Sequence, residues 1–477
     1  MVLRRVIKCN VCKCKIIVRG QVGFLPKHPI RIYCAECKIL ISGTFYTNQE
    51  EVTASMSFDN AEDITDQTIN GKYCIEVSGE LLTKKIKLFE ETDIVDFSPF
   101  MRTMQNVDFE IYNNLKQNFT IFIKVIKDEW LTVRQINELW LNQKYDYLQK
   151  ELSKRLTDIN FSSASKKELL KGVHMITLNC LSCVLPKDYI NNTAKPILKK
   201  FSEIASLNIT GLISLAQFFD ERGFINNHKK DVFKIYCSFV DKYKFFVPAF
   251  ILKSYKVSPN YDLYGTATVS FDDIKQVYLD CFEFIGEAFP LISALNNLMY
   301  RDDFNTMATM SEDKTLATTT TLEKQIKQPK GNRLKFGASN EFFNEIIQLT
   351  TSAELRNVIG HIEAYDYDGA TQTINYWPSC FRGKGVQKGI YLVEFIQNTL
   401  SLFETVIIIN EIIFQIQKIL YDANDNRHVS DALFCDDINY MVSNPSKEGR
   451  KQNTIKQGRN ILCKCGSGNK YKRCCGS

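Results

Sequence analysis

The hydrophobic pattern of the chain changes from alternation to helical spacing near residue 107. Before that point, short β-branched stretches broken by Gly or Asn predict strands. They are KIIVRG, IRIYC, KILISGTFY, EVTASMSF and YCIEVSG. From 108 to 257, apolar residues recur three and four positions apart, as in VRQINELWLNQKYDYLQKELSKRL, and predict helices. The predicted fold class is therefore mainly α with a small β-rich N-terminal part.

A second helical region follows in the C-terminal half. Ser270 opens the sequence SFDD, which can cap a helix running towards Phe289, where Pro290 is expected to kink or end it. Residues 311–332 are polar and predict a long loop. Helical spacing then predicts three further helices, at about 339–349, 351–365 and 386–420.

The sequence gives no sign of a membrane span or an export signal. No stretch reaches the run of roughly 20 apolar residues that a membrane helix needs, because the best candidate, TVIIIN, is bounded by Glu404 and Glu411. The N-terminal MVLRRVIKCN lacks the apolar segment of a signal peptide. We therefore expect a cytoplasmic protein.

The formal net charge of +6 is unevenly distributed along the 477 residues. Residues 1–40 and residues 444–477 each contain nine Lys or Arg against a single acidic residue, so each end carries +8 and the remainder −10. Zinc-bound thiolates would reduce each end by about two charges. Two basic terminal regions joined by an acidic middle region predict that the terminal regions bind an anionic partner.

Nine of the sixteen cysteines fall in two terminal clusters, which favours metal sites over a disulfide framework. In the first, Cys9 and Cys12 form one Cys-x-x-Cys pair, and Cys34 and Cys37 form another. Two such turns separated by a strand pair can place four thiolates about 2.3 Å from a Zn²⁺ ion. This arrangement resembles a zinc ribbon. Cys14 leaves the first pair ambiguous, because Cys12 and Cys14 could also reach the metal.

The second cluster closes the chain in the sequence CKCGSGNKYKRCCG, with Cys463, Cys465, Cys474 and Cys475 as candidate ligands. The Cys-x-Cys pair, the Gly-Ser-Gly turn and the final Cys-Cys-Gly resemble the SEC-C motif, a short zinc-binding tail also found on the preprotein-translocase ATPase. Cys475 stands where that tail often has His, and both side chains coordinate zinc. The two clusters predict about two structural Zn²⁺ ions per chain. Cys180 and Cys183 lie in an apolar setting and are interpreted as buried structural thiols.

The candidate chemistry lies in ELRNVIGHIEAY, residues 354–365. At 100° per residue, one face of this helix carries an apolar stripe formed by Leu355, Val358, Ile359 and Ile362. Arg356, Asn357 and His361 occupy the other face, and Gly360 lies between them. A glycine inside a helix costs about 1 kcal/mol relative to alanine. It leaves a notch that a phosphate or a partner helix could approach, although a solvated polar face would also explain these residues.

The Arg-Asn-x-x-x-His sequence resembles the Arg-x(4 to 6)-His motif of ribonucleases of the HEPN superfamily. The resemblance assigns catalytic roles to Arg356, Asn357 and His361. It also implies a compact four-helix bundle over about 265–425, dimerisation, and metal-independent RNA cleavage. A role as a toxin or antiviral effector rests on this resemblance alone.

These residue types suit cleavage of RNA by its own 2′-hydroxyl group. Arg356 can stabilise the charge that develops on the attacked phosphate, and His361 can transfer protons near neutral pH. Asn357 can orient His361 or hold the phosphate. Tyr365, one turn further on, is a weaker candidate. The remaining histidines, interpreted as surface or packing residues, are His28, His174, His228 and His428.

Arg356 and His361 diverge by about 140° around the helix. Two facing copies of the helix would solve this problem, so we expect a homodimer with a shared cleft, in which the long helix at 386–420 supplies apolar surface. The predicted units are a zinc ribbon at 1–45, a β-rich segment at 46–107, a helical domain at 108–257, the HEPN-like bundle at 265–425, and a basic linker with the SEC-C motif at 443–477.

The sequence thus favours an endoribonuclease whose zinc modules bind nucleic acid or a ribosome. A non-catalytic adaptor is the alternative, in which the zinc modules recruit partners and the bundle only dimerises. A DNA-binding regulator acting through the N-terminal ribbon is a third and weaker interpretation.

Overall fold

The computed structural model describes residues 1–48, 51, 53–94, 96–157, 159–185, 194–307, 317–336, 353–360 and 364–425. These residues are mainly helical with a small β-rich N-terminal region, as the hydrophobic pattern predicts. The N-terminal strands are β1 (Val2–Cys9), β2 (Lys15–Gln21), β3 (Lys27–Tyr33), β4 (Leu40–Asn48), β5 (Thr53–Asp59), β6 (Ala61–Asp63), β7 (Tyr73–Val77), β8 (Thr83–Lys84) and β9 (Lys87–Leu88).

Two sheets build the N-terminal region. One has the strand order β6-β1-β2-β7-β9 and the other β3-β4-β5, so strands from both sides of residue 45 contribute to each. Alternating apolar residues from both sheets, such as Ile7, Val18, Ile32 and Phe45, are fully buried against one another. Because side chains alternate between the two faces of a strand, one face of each sheet fills this core. On the other face of the first sheet, Val6, Ile17 and Cys74 form a second buried cluster with Ile64.

The predicted helical region begins at residue 99. Its helices are α1 (Pro99–Asn106), α2 (Phe109–Asp128), α3 (Trp130–Leu141), α4 (Tyr145–Arg155), α5 (Lys166–Leu181), α6 (Lys195–Leu207), α7 (Ile209–Glu221) and α8 (Phe224–Leu252). A short strand, β10 (Tyr264–Gly265), then pairs with β8 and connects this region to the sheets.

The helix predicted at Ser270 is present as α9 (Phe271–Arg301), and Ser270 and Asp273 form a capping box at its start. Of the two outcomes expected at Pro290, a kink or an end, the end is wrong, because α9 continues through this proline for eleven more residues, to Arg301. Pro290 is buried together with its helical neighbours. Close packing on the surrounding helices compensates here for the backbone hydrogen bond that a proline cannot make.

The segment predicted as a loop at 311–332 contains helical turns among its described residues, α10 (Leu322–Ile326) and the start of α11 (Lys330–Lys335). The helix predicted at 339–349 lies outside the described residues. The helix predicted at 351–365 appears as α12 (Ala353–Ile359), and its predicted end is wrong, because Tyr365 opens a strand. A sheet of β11 (Tyr365–Asp368), β12 (Thr373–Tyr376) and β13 (Lys388–Tyr391) follows.

The last described helix, α13 (Leu392–Asn424), packs against α9 and α8 at the centre of the helical core. Its length and composition would suffice to cross a membrane, but 94% of its most apolar segment is buried inside the fold. Three acidic side chains on α13 are buried. Glu404 and Asp422 form ion pairs with Lys253 and Lys167, and Glu411 forms a hydrogen bond with His174. Its apolar character is therefore explained by burial in the core.

The same burial corrects the prediction that this long helix offers surface for a dimer. Its apolar side chains are already used within the chain. Within the described residues, α9 and α13 are the only long helices after residue 265, and a β-sheet separates α12 from α13. A four-helix HEPN bundle is not shown.

The N-terminal sheets contact the C-terminal half through β3. Arg31 forms an ion pair with Asp273 at 3.0 Å, in the first turn of α9, and its backbone N–H donates to the carbonyl of Ala267. Tyr33 packs directly against Gly369 in the turn between β11 and β12, where a Cβ atom would lie 2.1 Å from the tyrosine ring. The strand that leads into the second cysteine pair therefore also supports the hairpin that follows α12.

Candidate metal centre and candidate catalytic surface

The two N-terminal Cys-x-x-Cys pairs form two turns with the same backbone geometry. In the first, the N–H of Cys9 donates to the carbonyl of Cys14, and the N–H of Lys13 donates to the carbonyl of Cys9. The second turn has the same two bonds. The N–H of Cys34 donates to the carbonyl of Ile39, and the N–H of Lys38 donates to the carbonyl of Cys34. Lys13 and Lys38 occupy equivalent positions with φ of 64° and 59°, a left-handed conformation that normally favours glycine.

These turns bring the thiols of Cys9, Cys12, Cys34 and Cys37 within 4.8 Å of one another. The Sγ–Sγ distances are 3.7 Å for Cys9–Cys37 and 3.4 Å for Cys12–Cys34. A tetrahedral zinc site with Zn–S bonds of about 2.3 Å requires sulfur atoms about 3.8 Å apart. The four thiols therefore fit Zn²⁺, and the prediction of a metal-binding cluster at these cysteines is supported.

The geometry also decides the role of Cys14, which the sequence leaves ambiguous. Its thiol lies outside the four-cysteine cluster and points towards the carbonyl of its neighbour Lys15, 3.8 Å away. Burial would raise the pKa of the Cys12 thiol, but the backbone N–H of Cys14 and the neighbouring thiols lower it to about 7. Burial and the hydrogen-bonded thiols of Cys12 and Cys37 raise the pKa of Cys34 in the same cluster, so the clustered thiols differ in how readily they ionise.

The predicted catalytic helix α12 has the two faces that its sequence predicts. Leu355, Val358 and Ile359 are at most 4% exposed. Arg356 is half-buried at the edge of this stripe, and Asn357 and Gly360 are exposed. Among the described residues, a Cβ at Gly360 would contact only carbonyl oxygens of its own helix, at 3.5 Å. His361 lies outside the described residues.

The guanidinium group of Arg356 is fixed by two neighbours. Its Nε donates to Glu283 Oε1 on α9 at 2.5 Å, and its Nη2 pairs with the same oxygen. Its Nη1 donates to Asn357 Oδ1 at 3.1 Å. Arg356 and Asn357, predicted as site residues, therefore do lie together.

Glu283 belongs to a larger cluster of charged side chains between α9 and α11. Lys330 donates to Glu283 at 2.5 Å and pairs with Glu287 at 2.9 Å, and Arg333 pairs with Glu287 at 2.6 Å. Partial burial alone would raise the pKa of Glu283, but the hydrogen bonds from Lys330 and Arg356 lower it below its usual range. Glu283 is therefore an anion when it holds Arg356.

Sequence reasoning missed Glu283 because it lies 73 residues from Arg356 and no local pattern connects the two.

The sequence predicts Tyr365 on the same helical line as His361, and the structure places Tyr365 in β11 instead. Its hydroxyl accepts a hydrogen bond from Lys275 at 2.9 Å, and its ring packs on Phe271. Tyr365 thus stabilises the hairpin against α9.

The described histidines outside the predicted site are packing residues, as expected. His174 bonds to Glu411 at 2.7 Å, and His228 bonds to the carbonyl of Phe224. His28 is 3% exposed, and its buried ring nitrogens have no hydrogen-bond partner among the described residues. Cys180 is likewise buried at 2% exposure. His428, and the side chain of Cys183, lie outside the described residues.

Comparison with known protein families matches residues 459–477 to the SEC-C motif. The match covers Cys463, Cys465, Cys474 and Cys475, all of them outside the described residues. The SEC-C motif and the N-terminal cluster together indicate that this chain binds zinc at both ends. Neither the search of curated proteins nor the search of solved structures gave a match.

Proposed function

We propose that this protein is a metal-independent endoribonuclease that cleaves RNA by attack of the 2′-hydroxyl group on the adjacent phosphate. The observation that carries the proposal is the hydrogen bond between Arg356 and Asn357 on the polar face of α12, close to Gly360. His361 follows Gly360 directly in the sequence. Arg356, Asn357 and His361 are the proposed catalytic residues.

Arg356 can bind a phosphate without leaving Glu283. Guanidinium has five N–H groups. One N–H on Nε and one on Nη2 donate to Glu283, and one N–H on Nη1 donates to Asn357. Two N–H groups are left to donate to a ligand. A cation held in place before the substrate arrives stabilises developing charge without having to reorganise. Glu283 therefore serves as a positioning residue in this proposal.

The reaction needs two proton transfers and no metal. The 2′-oxygen loses its proton and forms a bond to phosphorus, while the bond from phosphorus to the 5′-oxygen breaks and that oxygen gains a proton. The products are a 2′,3′-cyclic phosphate and a free 5′-hydroxyl. Imidazole titrates near neutral pH, so His361 is proposed to perform one of these transfers.

Two further parts of the proposal extend beyond this surface. The zinc-binding ends are proposed to hold RNA or a ribosome, because both ends are strongly basic. A homodimer is proposed on the resemblance to HEPN ribonucleases, with an interface outside the buried face of α13. A toxin or antiviral role is proposed on the resemblance to HEPN ribonucleases.

A second candidate function is a non-catalytic adaptor that recruits nucleic acid or protein partners through its zinc modules. The presence of zinc-binding features at both ends of the chain favours it. The two functions are separated by incubating purified protein with end-labelled RNA in the presence of EDTA. The ribonuclease proposal predicts fragments ending in a 2′,3′-cyclic phosphate, and none with His361→Ala. Intact RNA with the wild-type protein, or equal cleavage by both, would favour the adaptor.

A further inference from the structure

A row of lysines crosses the outer face of the first N-terminal sheet. Lys8 on β1 lies directly opposite Lys15 on β2 in the antiparallel ladder. Lys15 in turn lies beside Lys72, whose backbone N–H donates to the carbonyl of Lys15 at the start of the parallel β2–β7 pair. Residues opposite each other in a ladder point to the same face of the sheet. Three ammonium groups therefore lie side by side across three adjacent strands.

Such a row is unfavourable unless negative charge is near, because like charges directly opposite each other in a sheet repel. Lys8 is paired with Glu62 at 2.7 Å, and Lys72 is paired with Glu36. Lys15, in the middle, has no ion-pair partner in the described part of the chain. Two acidic groups thus face three lysines, and one positive charge remains exposed at the centre.

The zinc cluster lies near the end of the lysine row. Lys8 and Cys9 are adjacent in β1, so their side chains point to opposite faces of the sheet, and Lys15 shares the face of Lys8. Cys9 is buried in the core between the two sheets. Cys12, however, lines the same depression as Lys13, Lys15 and Lys72, so a zinc site there would place thiolate charge beside these lysines.

The row continues into a shallow depression of about 540 Å³ that also contains Lys13 from the first cysteine turn. Its lining consists of Lys, Cys, Asn, Gly and one acidic residue, Glu36. No aromatic or aliphatic side chain lines it, whereas the centre of a protein–protein interface usually has such an anchor. Lys13, at the rim, has a left-handed backbone conformation, and its Nζ donates to the carbonyl of Asn10 at 2.7 Å.

We propose that Lys13, Lys15 and Lys72, together with the neighbouring Lys8, form a binding surface for the phosphate backbone of single-stranded RNA. This inference rests on the proposed function for the identity of the nucleic acid. Lysines are compact charges on flexible stems, and a row of them can contact successive phosphates without reading bases. The surface would hold the RNA strand independently of its sequence, while cleavage takes place at the Arg356 surface.

The test compares two double variants that remove the same charge. Lys15→Ala/Lys72→Ala changes the proposed surface, and Lys154→Ala/Lys234→Ala removes two exposed lysines from helices α4 and α8. Binding of a 2′-O-methyl oligonucleotide, which cannot be cleaved by 2′-hydroxyl attack, is measured by fluorescence anisotropy across a range of KCl concentrations. Zinc content is measured for each protein as a check on folding of the cysteine turns.

We expect the surface variant to raise Kd about tenfold and to reduce the slope of log K against log[KCl] by about 1.4, since each phosphate contact on a single strand contributes about 0.7. The control should keep the wild-type slope. Equal slopes for the two double variants would overturn the proposal. Preferential binding of polyglutamate over the oligonucleotide would also overturn it in favour of an acidic protein partner. Binding is measured apart from cleavage, so a wild-type protein that binds but does not cleave would overturn the proposed nuclease function and leave this surface standing.

Discussion

The carboxylate of Glu283 on α9 holds the guanidinium of Arg356 on α12 through both its Nε and Nη2 atoms. The two groups are each about one-third exposed, at 32% and 33% for their side chains, so their contact lies at the surface where a substrate can reach it. An exposed pair of this kind contributes little to stability, typically below about 1 kcal/mol. Its importance in the proposed mechanism is positional.

We therefore expect Glu283→Gln to lower the rate of RNA cleavage by roughly 10- to 100-fold with little change in thermal stability, because the arginine loses its orientation. Glu287→Gln is the matched control, since Glu287 contacts Lys330 and Arg333 and not Arg356. Single-turnover cleavage rates and melting temperatures of the two variants test this. An equal rate loss in both would assign Glu283 to general stabilisation of the cluster.

Arg356→Ala and His361→Ala should each abolish cleavage and leave the protein folded. The Arg356 variant is expected to fold because this side chain lies at the surface, beside the apolar stripe of α12.

Val358 is fully buried, so Val358→Asp should unfold the region by placing an unpaired charge in the core. Circular dichroism and cleavage assays distinguish the two outcomes. Full nuclease activity in the His361 variant would refute the assignment of the site.

Elemental analysis of the purified protein should return about two zinc ions per chain. Cys34→Ser should remove one of them, because Cys34 is one of the four converging thiols. Cys14→Ser is the control and should retain both ions, since its thiol lies outside the cluster. Chelation of wild-type protein is expected to weaken RNA binding before it affects cleavage of a short substrate. Zinc-free protein from a metal-replete preparation would contradict this prediction.

The stability of the N-terminal region should depend on pH through Glu80. This carboxyl is fully buried, and burial raises its pKa to about 7 from an ordinary value of 4.5. Between these values the folded state binds more protons than the unfolded state, so Glu80 lowers the free energy of unfolding as pH rises through this window. The loss amounts to about 3 kcal/mol at most above pH 7.

Glu80→Gln should remove this loss and become more stable than the wild type above pH 7, with a smaller difference at pH 5. The contribution of His28 to the free energy of unfolding changes with pH in the opposite direction. Burial lowers the pKa of His28 to about 4, so this contribution grows as pH rises towards 6.5. Urea denaturation at pH 5 and pH 8 measures both effects. The exposed Glu62→Gln serves as control, and a Glu80→Gln stability difference that does not vary with pH would rule the explanation out.

Sedimentation should find a dimer under conditions in which the protein cleaves RNA, and its dissociation on dilution should reduce specific activity. The interface is expected away from α13, whose apolar face is occupied within the chain. A monomer with undiminished specific activity would exclude a shared active site.

Local patterns predicted much of the fold correctly. Helical spacing and the Ser270–Asp273 capping box located α9, and paired cysteines predicted the four-thiol cluster. The end of α12 was not predicted, although the sequence contained the signal. The Asp368-Gly369 pair stands at the end of the alternating segment Tyr365–Asp368 and before the alternating segment Thr373–Tyr376. This pattern is typical of a hairpin. Gly360, interpreted as a notch inside a helix, instead follows its last residue.

Long-range contacts were not predictable in the same way. Pro290 remains helical because the surrounding core stabilises it, and burial of that core depends on helices far away in sequence. Glu283 reaches Arg356 only once α9 and α12 have packed together. The lysine row likewise depends on the register of three strands, and the order of charged residues along the sequence does not determine that register.

The contact between Tyr33 and Gly369 has a consequence for how this architecture can diverge. Tyr33 immediately precedes Cys34, and any side chain at position 369 would collide with the tyrosine ring. A residue other than glycine at position 369 would therefore require either movement of the Tyr33 ring or a smaller residue at position 33. The residue before the second cysteine pair and the residue in the hairpin after α12 should therefore vary together among proteins that share this architecture.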